Sequence, residues 1–281
     1  GSFLNQNNMG IQKIDDILYM DEIDEPALSR YPEDAHVEFR NVSFAYNTTT
    51  ILKEVSFTAN PGTVTALVGP SGAGKSTIAM LAARFWDIQD GEILIGNVPI
   101  KEIPTSVLMD NIALVFQDNM LFFDTIEENI RMGNKTATFE DVKRAACAAQ
   151  CHEFIEALPD GYQTLVGEGG TYLSGGEMQR LALARAILKD APVILLDEAT
   201  AFADPENEGK ILEAFSHLIK GKTVLVIAHR LGTITNADHI LYLDKGMITE
   251  KGTHEELLAL HGAYAHMWKT YNRAKEWIID R

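Results

Sequence analysis

The sequence predicts an α/β fold class: a core of buried parallel strands crossed by helices, with a small antiparallel sheet in front and a helical lobe inserted into the core. Three observations predict it. Short apolar runs at 113–116, 193–196 and 223–228 stand between helical patterns, as strands covered on both faces do. Residues 36–44 alternate, as does the stretch around 55–58, which is the pattern of strands with one buried face. From about 119 to 183 the period is mainly helical and no strong strand interrupts it.

The elements follow in order. Gly1-Ser2 reads as a cloning remnant. Ile11, Ile14 and Leu18 recur at helical spacing within 3–20, and an acidic run from Asp21 to Glu25 ends in Pro26. Residues 1–30 are therefore expected to be a connecting helix and linker, and 31–281 the main domain, with its helical part at about 119–183. Residues 63–68 form a compact apolar strand, and 92–95 and 98–100 flank Gly96-Asn97 as the arms of a hairpin do.

Composition narrows the function classes. Hydrophobic residues at 46% and charged residues at 23% fit an ordinary globular protein. No run approaches the roughly 18 consecutive apolar residues of a membrane span. Asp and Glu number 40 against 24 Lys and Arg, a formal charge of −16. With no Lys/Arg cluster to offset it, that balance argues against nucleic acid as a partner. Cys147 and Cys151 lie four apart, a spacing that puts both on one face of a helix, and they read as packing thiols in a reducing compartment.

Gly69-Pro70-Ser71-Gly72-Ala73-Gly74-Lys75-Ser76, followed by Thr77, fits G-x-x-x-x-G-K-[ST] between the strand ending at Val68 and a helix expected over 77–85. Gly72 and Gly74 let the backbone curl so that successive N–H groups converge on phosphate oxygens, and the helix start adds its positive end. Lys75 supplies charge to the β and γ phosphates, and the Ser76 hydroxyl can ligate Mg²⁺. The bulk negative charge does not oppose this, because charges beyond a Debye length of about 8 Å are largely screened.

Further along stand Leu173-Ser174-Gly175-Gly176-Glu177, then Met-Gln-Arg-Leu-Ala-Leu-Ala-Arg-Ala-Ile187, then Val193-Ile-Leu-Leu-Asp197-Glu198-Ala-Thr200. Together with the cradle, these resemble the nucleotide-binding domain of ABC transporters over most of the chain, from about 36 to 272. The resemblance implies a P-loop NTPase (RecA-like) core with ATP and Mg²⁺ as cofactors. It makes Asp197 the carboxylate of the metal shell and Glu198 the catalytic glutamate that polarises or deprotonates the attacking water. Gln117 matches the glutamine that touches metal or water, His229 the histidine that contacts the γ-phosphate, and Tyr46 the aromatic that stacks on adenine. Ser174 and Glu177 also fit a capping box, and in the family this helix tip closes on ATP held by a second ATPase domain, identical or paralogous, in a head-to-tail dimer. Asp204 belongs to the loop that follows Glu198.

Two departures from the family pattern stand out. Glu177 occupies a position that is usually Gln, so an extra carboxylate should weaken closure unless the capping-box N–H groups neutralise it. Ala201-Phe202-Ala203 replaces the usual Ser-Ala-Leu before Asp204, which bears on communication between two sites. That loop faintly resembles some iron-siderophore transport ATPases. It does not assign a transported compound, because selectivity lies in membrane segments.

Leu121-Phe122, Thr125-Ile126, Asn129-Ile130 and Thr164-Leu-Val-Gly-Glu-Gly-Gly170 are similar to exporters whose membrane and ATPase domains share one polypeptide. The resemblance then implies a transmembrane partner domain, on the same or another polypeptide, and a place on the cytoplasmic face of the cell membrane, the isolated domain being soluble. The alternative is a non-transport ABC ATPase of the DNA repair, chromosome or translation type. Repair and chromosome members carry a long coiled coil between cradle and signature, where this chain has a compact, non-heptad interval, and translation members carry two cassettes.

Overall fold

A computed structural model of the chain describes residues 23–116, 121–198 and 205–279. The helix expected over 3–20 lies outside the described residues. In strand β1 (Val37–Tyr46) the buried residues Val37, Phe39, Val42 and Phe44 mark the inner face. This strand pairs antiparallel with β2 (Thr49–Ala59) and β4 (Asp90–Ile95). Gly96 and Asn97, at φ 55° and 66°, turn β4 into β5 (Val98–Pro99) with Ile95 opposite Val98, as a two-residue hairpin turn with both residues at positive φ requires. The sheet order is β2-β1-β4-β5.

The second sheet contains β3 (Val64–Val68), β6 (Ile112–Val115), β9 (Val193–Asp197), β10 (Thr223–Ile227), β11 (His239–Asp244) and β12 (Met247–Gly252), in the order β12-β11-β3-β10-β9-β6. All pairs are parallel except the edge pair β11–β12. Alternation along the central strands divides the core in two. Val193, Leu195, Leu225, Ile227 and Leu67 join the cluster of the antiparallel sheet and α1 (Lys75–Ala82). Ile194, Leu196, Val224, Val226, Ala66 and Val68 face the other way, into the cluster that holds most of the remaining helices. A strand period of two therefore buries both faces of one sheet.

On that second face α6 (Gly175–Lys189) is the hub. It packs on β6, α3 (Ile126–Arg131), α4 (Phe139–Ala148) and α7 (Pro205–Ile219). A two-stranded ribbon, β7 (Asp124–Thr125) with β8 (Leu165–Val166), ties the ends of the helical region together. The remaining helices are α2 (Thr105–Asn111), α5 (His152–Glu156), α8 (Leu231–Asn236), α9 (His254–Ala259) and α10 (Ala263–Ile279). No helix of the described residues is long and apolar enough to cross a membrane.

The cysteine expectation is corrected. Helix α4 stops at Ala148 and Gln150 turns the chain at φ 61°, so the two thiols do not share a helical face. Cys147 is exposed, while Cys151 is buried at the start of α5, where loss of solvation pushes its thiol well above the ordinary range. The chain ahead of β1 is pinned to the body. Arg84 Nη2 donates to the Asp24 carbonyl at 3.2 Å, Thr105 N donates to Glu25 Oε2 at 3.3 Å, and Arg30 pairs with Glu102 at 2.8 Å.

Candidate nucleotide site

The cradle begins where β3 ends. Gly69 sits at φ 141°, and a Cβ there would stand 2.0 Å from the Leu243 carbonyl oxygen of neighbouring β11. Only glycine fits that approach. Gly74, at φ 106°, is the N-cap of α1 and offers no side-chain cap, so the first N–H groups of the helix point into the loop without an intrahelical partner. Together with the helix dipole they form an anion-binding concavity. Gly246 N donates to the Ala73 carbonyl at 3.0 Å, fixing the loop to the β11–β12 turn. Pro70, Ser71 and Gly72 remain exposed, while Ser76 and Thr77 are half-buried at the helix start.

Lys75 arches back over the loop, its Nζ donating to the Gly69 carbonyl at 2.5 Å. Burial pushes its pKa below the usual lysine value, with the Asp197 carboxylate pulling the other way. Two buried strands deliver the remaining groups. Asp197 ends β9 and Glu198 follows it, and His229 follows β10 by two residues. The His229 Nε2 lies 3.6 Å from Asp197 Oδ1. Strands β3, β10 and β9 are adjacent and parallel, so Lys75, Asp197, Glu198 and His229 gather beyond their carboxyl ends, where open α/β sheets bind ligands.

The neighbouring acids differ in surroundings. Asp197 is half-buried at the mouth of the cradle, whereas Glu198 is 1% exposed. Its Oε1 accepts N–H bonds from His229 at 3.2 Å and Arg230 at 3.4 Å, and its Oε2 accepts the Thr233 hydroxyl at 2.7 Å. Thr233, four residues beyond His229 on α8, was not singled out from the sequence. A hydroxyl on the first turn after the histidine is the signal that could have found it.

Tyr46 ends β1, opposite Thr49 of β2, and is 46% exposed. Its ring meets Trp86 edge-on at 6.2 Å, and Trp86 in turn packs on Phe44 at 5.9 Å. Strand β2 reaches the cradle through Leu52, whose Cδ2 would lie 2.7 Å from a Cβ on Gly74. Tyr46 is thus an open aromatic face on the strand pair that abuts the phosphate loop. Trp86, its support, is a further residue missed from the sequence.

Ser174, Gly175, Gly176 and Glu177 stand apart from this group. The capping box forms: Ser174 N donates to Glu177 Oε1 at 2.9 Å and Glu177 N to Ser174 Oγ at 3.2 Å. Gly176 rests against Asn207 of α7, and Arg180 Nη1 locks the helix start to the Gln150 carbonyl at 2.6 Å. Among the described residues no hydrogen bond joins this helix tip to 69–76. Gln117, Asp204 and the loop Ala201-Phe202-Ala203 lie outside the described residues.

No group of three or more His, Cys, Asp or Glu suited to a metal occurs among the described residues. What the cradle offers instead is the Ser76 hydroxyl at the helix start and the Asp197 carboxylate, beside an anion site. That donor set suits Mg²⁺, which keeps several waters and takes one or two carboxylates plus substrate phosphates.

A parallel sheet with a glycine cradle, a lysine and two acids at its carboxyl edge defines a nucleotide-binding domain. The chain belongs to the ABC transporter family, which it matches over residues 52–201, and it is that family's ATPase domain. It is 51% identical over 237 residues to the mycobactin import ATP-binding/permease protein IrtA of Mycobacterium tuberculosis, covering 84% of this chain and 28% of that one. It is 47% identical over 238 residues to the ATP-dependent lipid A-core flippase of Desulfotalea psychrophila, covering 85% and 42%. A bacterial Atm1-family ABC exporter with ATP bound superposes with a TM-score of 0.83 at 40% identity, over 95% of this chain and 47% of that one. The chain therefore spans less than half the length of these relatives. The similarity places it with transport ATPases, not with the DNA repair type.

Proposed function

We propose that this chain is the ATP-hydrolysing motor of an exporter-type half-transporter, acting as a head-to-tail pair with a second ATPase domain. The observation that supports it most is the convergence of Lys75, Asp197, Glu198 and His229 at three adjacent strand ends. In this reading the orphan N–H groups of 69–77 and Lys75 hold the triphosphate, and Tyr46 stacks on the purine. Ser76, Asp197 and Gln117 hold Mg²⁺, which when bound neutralises charge on the β- and γ-oxygens. Glu198 takes a proton from the attacking water, and His229 holds the γ-phosphate in place. Ser174, Gly175, Gly176 and Glu177, together with Asp204, close on nucleotide bound by the partner.

A transmembrane domain, on this polypeptide or another, would receive the resulting motion at the cytoplasmic face of the cell membrane. A cleft of about 380 Å³ lined by Met109, Leu114, Phe116, Phe122, Met132 and Arg185 gives such a domain a mainly apolar seat. The charge of −16 argues against nucleic acid as a partner in the same reading. Glu198→Gln tests the motor. ATP binding should persist while turnover falls by 100-fold or more, on the order of what a general base contributes, and near-normal phosphate release would overturn the assignment.

A further inference from the structure

A carboxylate serves as a base toward water only when one of its oxygens can accept the water's O–H. Glu198 does not meet that condition in this structure. It is 1% exposed, and three donors occupy it: the His229 and Arg230 amides on Oε1 and the Thr233 hydroxyl, at 2.7 Å, on Oε2. All three donors come from one short segment, the one that begins with His229.

They are not equally fixed. The His229 amide lies two residues past β10, a strand buried along its whole length, and the Arg230 amide is that of the α8 N-cap, so both are backbone groups at the junction of strand and helix. Among the described residues Thr233 is the single side-chain donor, and it stands on α8, a helix of six residues whose N-cap, Arg230, makes no side-chain capping bond. Behind α8 lies a mainly apolar cavity of about 340 Å³, lined by Leu212, Phe215 and Ile219 of α7 and by Gly232, Thr233 and Asn236 of α8. Nothing lies within 4 Å of a Cβ built on Gly232. The helix that carries the hydroxyl is anchored by buried Ile234 but borders open space at Gly232 and beside Thr233, and there it has room to shift.

We propose that Thr233 is a latch on Glu198: its hydroxyl holds Oε2 away from water in the resting domain, and displacement of α8 frees that oxygen for catalysis. The inference rests on the reading of Glu198 as general base. It gives the histidine segment a second task, since a pull on His229 by a bound γ-phosphate reaches Thr233 within one helical turn. Thr233 positions the carboxylate and does not touch nucleotide.

The test is steady-state hydrolysis of Mg·ATP by the 281-residue chain at fixed protein concentration. Thr233→Val keeps the shape and removes the donor, so kcat should rise about tenfold, the scale of one hydrogen bond to a charged group lost from the resting state alone. The ATP KM should stay within about twofold, because the cradle is untouched. Thr233→Ser restores the hydroxyl and should return kcat to that of the unmodified chain. An unchanged or lower kcat in folded Thr233→Val overturns the latch. Should that variant not fold, Thr233→Ala carries the same expectation, and failure of both to fold assigns Thr233 to the core and overturns it equally. Glu198→Gln run alongside separates the two readings: if it still turns over, the general-base assignment fails, and if it is inactive while Thr233→Val shows no gain, only the latch fails.

Discussion

Tyr46 shows how much a residue's neighbours decide. An aromatic nearly half exposed at a strand end buries little surface for the fold, and its edge-on contact with Trp86 holds the ring upright while leaving one face open. Stacking a base on such a face contributes about 1–3 kcal/mol and discriminates weakly between bases. Tyr46→Ala should therefore raise the ATP KM by about 5- to 150-fold with kcat changed by less than about twofold. Tyr46→Phe should leave both near their original values, and a KM unchanged in Tyr46→Ala would remove the ring from the site. Asp197 and Glu198 make the same point with identical chemistry. One carboxylate sits beside His229 at the mouth, the other is buried under three donors, and that difference sets the roles proposed for them.

At the scale of the element, α6 carries two duties in four residues. The Ser174–Glu177 box satisfies two of the orphan N–H groups at its start, and the same tip is the proposed anion site for a partner's nucleotide. The extra carboxylate of Glu177 is thereby engaged with a backbone N–H, not left facing a phosphate. Glu177→Gln keeps an acceptor for Ser174 N, so thermal stability should move by less than about 0.5 kcal/mol, and nucleotide-dependent pairing of two chains, followed by light scattering, should change little, whereas a marked tightening would show that the carboxylate does oppose a phosphate. Ser174→Ala removes the cap and should cost about 1 kcal/mol, a Tm fall of roughly 2–4 °C. The box was legible in the sequence because capping is local, and so were the central strands and the hairpin at Gly96-Asn97. What was not legible depends on contacts distant in sequence. Strand β12 buries none of its residues and exists through its pairing with β11, so periodicity gave no sign of it. The need for glycine at 69 comes from Leu243, far along the chain, and the Thr233 bond to Glu198 crosses 35 positions.

Over the whole molecule, the cradle group and the helix tip proposed to meet a partner's nucleotide do not meet within one chain. The cradle group lies beyond the carboxyl ends of β3, β9 and β10, and the capped tip of α6 is hydrogen-bonded within itself and to the helices around it. A head-to-tail pair brings the cradle of each copy against the tip of the other, a self-complementary two-fold arrangement. That arrangement makes a prediction no single-chain site can satisfy. Lys75→Ala spoils a cradle and leaves its tip intact. Ser174→Asp retains a good N-cap yet sets a carboxylate where a phosphate would sit, spoiling the tip and leaving the cradle intact. Each variant alone should be inactive. Mixed in equal amounts, about half the pairs contain one of each, and each such pair holds one complete site of two, so phosphate release should recover to about a quarter of the unmodified rate if the sites act independently. Because each copy carries −16, pairing works against like charge, and the recovered rate should climb with protein concentration and with moderate salt as repulsion is screened. A mixture as inactive as its components, at concentrations where the unmodified chain turns over, would show that cradle and tip serve one copy and not two.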